Sequence, residues 1–95
     1  MYQECLVHEL KLRDLTIAQQ VKLPIKYRGL IVDAGLRLDL VVGDLVIVEI
    51  KAVERLIPVH EAQLLTYLKL AQKRLGILVN FNVPLIKEGI RRLAL

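Results

Sequence analysis

Leu36 to Ala52, LRLDLVVGDLVIVEIKA, is the stretch on which the fold turns. Two apolar runs flank a Gly43-Asp44 turn signal, so it reads as a β-hairpin. Three charges break those runs: Asp39, Glu49 and Lys51. A lone charge in an apolar strand is very costly to bury, so each must be paired, solvated or bound to a metal. Glu49 and Lys51 stand two residues apart and share a strand face. A strict two-residue turn would set Asp39 against Val48 and leave Glu49 on the other face. A three-residue loop, Gly43-Asp44-Leu45, or a bulge sets Asp39 opposite Glu49 instead. An odd-length turn or a bulge is therefore expected. The plainer alternative is an edge strand whose Glu49 and Lys51 pair with each other or with water. The unbroken run Leu45-Val46-Ile47-Val48 speaks for a covered central strand, and so for a polar site built into the sheet.

Towards the N-terminus, Tyr2 to about Arg13 reads as a helix, with Leu6, Leu10 and Arg13 on one face and Tyr2 a turn before Leu6. Glu9 abuts that stripe. It is a candidate for the charged face of the sheet, against the plainer reading of a solvated surface glutamate. Gln20 to Tyr27, QVKLPIKY, reads as a strand near the edge, because Pro24 cannot donate into a ladder. Lys22 and Lys26 share a face and fit either phosphate contact or a charged edge that blocks aggregation. Arg28-Gly29 and Asp33-Ala34-Gly35 are turn signals, and Leu30 to Val32 between them is too short to assign. Arg37 shares a face with Asp39 by alternation, which suits either an ion pair with that carboxylate or a contact to phosphate.

Beyond the hairpin, Glu54 to Pro58 is a connection. A second helix is expected from Val59 or His60 to Arg74, with Gly76 just past its C-cap and Leu64, Leu68, Ala71 and Leu75 as its core stripe. Gln63 and Tyr67 lie a turn apart beside that stripe, able to reach over the charged face. Alone, they read as a surface amide and a packed ring; joined to Asp39, Glu49 and Lys51, they read as part of a site. His60 reads as a helix-start residue. Lys69, Lys73 and Arg74 read as a solvated face. Gly76 to Asn82 is a buried strand stopped by Pro84, and Leu85 to Leu93 reads as a short final helix with Arg91 and Arg92 exposed.

At 95 residues the chain has room for one domain. Its hydrophobic fraction of 55% exceeds the usual share, which a dimer interface would absorb. No apolar run approaches a membrane span, and Glu4, His8 and Glu9 interrupt any secretory signal. A single cysteine, Cys5, forms no internal disulfide, which fits a reducing cytoplasm, and its apolar neighbours suggest a small core residue. One cysteine and two histidines are too few for structural zinc. A net charge of +4 permits attraction to phosphate, while 4% aromatics without Trp argues against a base-stacking platform.

Asp39, then nine residues, then Glu49-Ile50-Lys51, resembles the PD-(D/E)XK nuclease superfamily. With Gln63-x-x-x-Tyr67 and the strand end Asn80-Phe81-Asn82, nearly the whole chain resembles that superfamily's GxxExxY family. Tyr2 takes the place of the last residue of that naming motif, followed by Glu9-Leu10; its Gly and Glu would lie ahead of Met1. The resemblance implies an αβββαβ core, a mixed four-stranded sheet flanked by helices, which the order of elements also suggests. The crossover through the second helix should return the last strand parallel to the third. The implied activity is phosphodiester hydrolysis in DNA. Asp39 and Glu49 offer hard oxygen ligands for Mg²⁺ or Mn²⁺, joined by the Ile50 carbonyl. Lys51 would orient water or offset transition-state charge, and Gln63 and Tyr67, at the positions of the Gln and Tyr of RecB-like nucleases, would position phosphate. The alternative is a non-cutting module of the same fold that binds nucleic acid or assembles with protein.

Overall fold

The computed structural model describes residues 2–83 and 86–95. The amphipathic start folds as helix α1, Tyr2–Leu12. Strand β1, Ile17–Lys22, ends before Leu23-Pro24, since proline has no N–H for a ladder. The strand expected over Gln20–Tyr27 is therefore two. Past the proline, β2, Ile25–Tyr27, folds back on β3, Leu30–Val32, as a separate hairpin turned by Arg28 and Gly29 with φ of 47° and 82°. The apolar surplus of the chain surfaces here, with Leu30 62% and Ile31 65% exposed.

The central hairpin is β4, Arg37–Val42, and β5, Val46–Lys51. Val42 pairs with Val46, so the loop is the three-residue Gly43-Asp44-Leu45, as expected. Gly43 and Asp44 adopt left-handed φ of 60° and 59°, and Leu45 N–H donates to the Val42 carbonyl at 3.1 Å. Helix α2, Pro58–Ala71, then leads to β6, Leu75–Asn80, and β7, Ile90–Ala94. The five-stranded sheet runs β1-β4-β5-β6-β7, with only β5 and β6 parallel among its neighbours. A parallel neighbour needs a crossover, which α2 supplies.

The two helices cover opposite faces. Leu64 and Leu68 of α2 are fully buried in a cluster with Val41, Ile47 and Leu78. Val7 of α1 packs in a second cluster with Leu40, Val48 and Val79. Strand alternation that sends Ile47 towards α2 sends Glu49 and Lys51 the same way, while on β4 both Leu38 and Val41 join the α2 cluster, so alternation breaks at Asp39 and its carboxylate turns to the Ile50 N–H. The αβββαβ arrangement is present, with β7 as an added fifth strand.

Several local readings are corrected. Helix α2 ends at Gln72, which takes the left-handed cap at φ 57°, while Lys73 N–H reaches back to the Leu68 carbonyl at 2.9 Å. Leu75 therefore opens a strand and leaves the helical stripe. Gly76 is not a cap: it lies in β6 where a Cβ would stand 2.9 Å from Leu64 Cδ2, so it sets how closely α2 approaches the sheet. Gly76→Ala is expected to destabilise by about 1–3 kcal/mol, seen as a lower urea midpoint at unchanged slope. An unmoved midpoint would show that Leu64 yields freely.

The expected final helix over Leu85–Leu93 is a 3₁₀ turn, Ile86–Gly89, followed by β7; Pro84 and Leu85 lie outside the described residues. Pairing wins over helical propensity here, because β7 covers the apolar edge of β6 along Leu75↔Ala94 to Val79↔Ile90. Buried Gly89 permits the approach, since any Cβ there would collide with the Asn80 carbonyl. Cys5 is exposed, not a core residue, because Val7 is the residue α1 buries.

Candidate active site

Backbone pairing between β4 and β5 ends at Leu40↔Val48. Past that point two carboxylates take over the hydrogen bonds of the ladder. Asp39 N–H donates to Glu49 Oε1 at 3.2 Å, and Ile50 N–H donates to Asp39 Oδ2 at 2.8 Å. Each acid thus accepts a main-chain N–H from the opposite strand. Burial dictates this, because a carboxylate withdrawn from water must find donors. Glu49 is only 5% exposed and Asp39 is half-buried. Pairing also lapses on the other side of β4. Gln20 falls opposite Asp39 between the pairs Gln19↔Leu40 and Val21↔Leu38, unpaired and with φ of 49°.

The Glu49 carboxyl is electrostatically strained. Burial, and then the charge of Asp39, raise the Glu49 carboxyl to about 7, against the smaller opposing pull of the Asp39 N–H and the Lys51 ammonium. Among the described residues, Lys51 makes no direct ion pair with either acid. Its Nζ donates to Gln63 Oε1 at 2.9 Å, and Gln63 Nε2 donates to the Tyr67 hydroxyl at 3.0 Å. Tyr67 is buried, so this chain of bonds ties a strand ammonium to the body of α2.

Local structure sets both ends of that chain. Pro58 opens α2, and His60 Nδ1 accepts the Ile57 N–H at 3.0 Å, doing the capping that an Ile57 side chain cannot. Gln63 and Tyr67 then follow at successive turns. At the sheet end, Asn80 is 1% exposed. Its Oδ1 accepts the N–H groups of Val53 and Asn82, each at 3.1 Å, and its Nδ2 donates to the Val53 carbonyl at 2.9 Å. Phe81 N–H donates to the Lys51 carbonyl at 3.0 Å. The segment leaving Lys51 is thereby clamped to the end of β6.

Among the described residues, no three or more His, Cys, Asp and Glu side chains gather into a metal-binding group. A cation at this site would take two carboxylates and complete its shell with main-chain and water oxygens. That donor set suits a hard ion such as Mg²⁺ or Mn²⁺ and not zinc. The electrostatics fit as well, since a buried and a half-buried acid stand side by side and, among the described residues, neither makes an ion pair.

A model of the PD-(D/E)XK nuclease superfamily matches residues 1–93. The chain belongs to the PD-(D/E)XK nuclease superfamily. No curated protein and no solved structure matches it significantly. In this PD-(D/E)XK chain the residues that resemble the superfamily pattern, Asp39 and Glu49-Ile50-Lys51, lie within the matched span.

Of the residues singled out in the sequence, the fold brings together Asp39, Glu49, Ile50, Lys51, Gln63 and Tyr67. It does not bring in two others. Arg37 is exposed at the start of β4, and its guanidinium donates to the Leu36 carbonyl at 3.5 Å. Glu9 lies on α1, across the sheet, exposed and paired with Arg13 at 3.2 Å. The structural parts of Asn80 and Gln20 were missed. A lone polar residue ending an apolar strand was the available signal for Asn80. Gln20 carries none, because nothing in a Gln19-Gln20 pair separates a left-handed residue from a surface one.

Proposed function

We propose that this chain hydrolyses phosphodiester bonds in DNA, with Mg²⁺ or Mn²⁺ held by Asp39, Glu49 and the main-chain oxygen of Ile50. The observation that carries the reading is the reciprocal bonding of Asp39 and Glu49 to each other's strands. It holds two carboxylates side by side, one buried and one half-buried, before any substrate arrives, and such preorganisation spares the chemical step a reorganisation cost. When bound by these residues, a divalent ion would supply Lewis acidity to a phosphate oxygen and to a water.

The side chains of the protein do the rest. Lys51, fixed by Gln63, sets an ammonium where negative charge grows on the phosphoryl group. Gln63 accepts from Lys51 and donates to Tyr67, so the helix fixes where that ammonium points. Arg37, at the exposed mouth of β4, is a contact for a flanking phosphate. Gln63→Ala is expected to slow cutting by about 10–100-fold, as loss of a positioning partner does at metal sites. Pairing of two chains through the apolar β2–β3 hairpin belongs to the same reading, and light scattering on the eluted protein tests it.

The deciding experiment incubates the purified protein with supercoiled plasmid and with short duplexes, with Mg²⁺, Mn²⁺ or EDTA. Cutting that requires the ion is expected. A folded protein that cuts no substrate with either ion would leave only the non-cutting module.

A further inference from the structure

A cleft of about 480 Å³ opens beside α2, away from the two acids. Four lysines line it: Lys22 from β1, Lys26 from β2, Lys69 from α2 and Lys73 from the turn that follows α2. One acid, Asp44, joins them. Lys73 is already committed, donating to the Asp44 carbonyl at 2.7 Å and to its Oδ1 at 3.2 Å. Among the described residues Lys22, Lys26 and Lys69 are exposed and their ammonium groups make no ion pair or hydrogen bond.

A charged edge that resists aggregation would explain Lys22 and Lys26 alone. It does not explain why Lys69 of α2 and Lys73 just past its end meet them around one concavity. The cleft shares two walls, α2 and β4, with the acid site, and none of Asp39, Glu49, Lys51, Gln63 or Tyr67 lines it. Gln63, Tyr67 and Leu70 follow at helical spacing along one flank of α2; the first two belong to the site and Leu70 lines the cleft, with Lys73 just past the end of the helix. On β4, Leu38 and Val41 line the cleft on either side of Asp39.

We infer that this cleft is a track for the backbone of one DNA strand, leading to or from the bond being cut. The inference rests on the nuclease reading for the direction of the track, and takes its ligand chemistry from the lysines. Lys69 stands six residues beyond Gln63, roughly 9 Å along the helix. At about 3.4 Å per nucleotide, Lys69 meets the strand roughly three nucleotides from the site. Lysines act as point charges on phosphate and read no base, so the track is indifferent to sequence.

The test is anisotropy with a labelled 25-nucleotide DNA, in an Asp39→Asn background that does not cut. One variant carries Lys22→Ala, Lys26→Ala and Lys69→Ala. A control carries Lys11→Ala, Arg91→Ala and Arg92→Ala, three exposed basic residues outside the cleft. Each removes three positive charges. The cleft variant should bind at least about tenfold more weakly, with its salt slope reduced by roughly three, while the control loses far less. With Asp39 intact, the cleft variant should cut with raised KM and unchanged kcat. Equal losses in the two variants, or no binding by the parent, would overturn the track. Lysine-dependent binding by a parent that never cuts would remove the catalytic reading and leave the track. Cutting with an unchanged KM in the cleft variant would do the reverse.

Discussion

Asp39→Asn and Lys51→Met are each expected to slow cutting by at least about 10³-fold. The figure follows from the several kcal/mol a metal-ligating carboxylate or a fixed ammonium supplies to the transition state, at about 1.4 kcal/mol per tenfold. The substitutions are chosen to spare the fold. Asparagine keeps an oxygen for the Ile50 N–H, now 2.8 Å from Asp39 Oδ2, and removes only the charge. Methionine keeps the apolar stem of Lys51 and removes the ammonium that Gln63 holds. Single-turnover cleavage of a labelled duplex gives the rates, with melting curves to show that both variants fold. Either variant within tenfold of the parent would separate that side chain from the chemistry.

The second large effect concerns stability against pH. The Glu49 carboxyl is raised to about 7 in the folded chain, first by burial and then by Asp39. In the unfolded chain it ionises near its ordinary value of about 4.3. The folded state therefore holds this proton more tightly. The stabilisation is full below the unfolded value and is lost as pH rises through the folded one. Between about pH 4.3 and 7 the metal-free chain should lose on the order of 2–3 kcal/mol from this group, or about 10 °C in Tm for a domain of this size. Other groups titrate too, so the readout is a difference: Glu49→Gln should lack this component. Mg²⁺ or Mn²⁺ at pH 8 should restore stability to the parent and do little for Glu49→Gln. Superimposable pH profiles of parent and Glu49→Gln would show that burial does not strain the acid.

Much of this site was legible because charge is so costly in a strand. Asp39, Glu49 and Lys51 must share a site, and that demand called for either a three-residue loop at Gly43-Asp44-Leu45 or a bulge, of which the chain has the loop. The parallel return of β6 followed from a helix between two apolar strands. Where the reading failed, a tertiary contact outweighed a local pattern. Ile90–Ala94 carries helical spacing but pairs with β6, which would otherwise present a bare edge. Gly76 has the look of a helix stop but is needed small under Leu64. Gln72, with no such look, takes the left-handed cap. The lysine cleft was out of reach for another reason. Lys22 and Lys26 could be paired by alternation, but only the fold shows that Lys69 and Lys73 meet them.

The central claim is that Asp39 and Glu49 jointly hold one divalent ion. Calorimetric titration of Mn²⁺ into the metal-free protein at pH 8 tests it without any nucleic acid. One ion per chain is expected for the parent and none for Asp39→Asn or Glu49→Gln. Undiminished binding in both variants, or no binding by the folded parent, would contradict it.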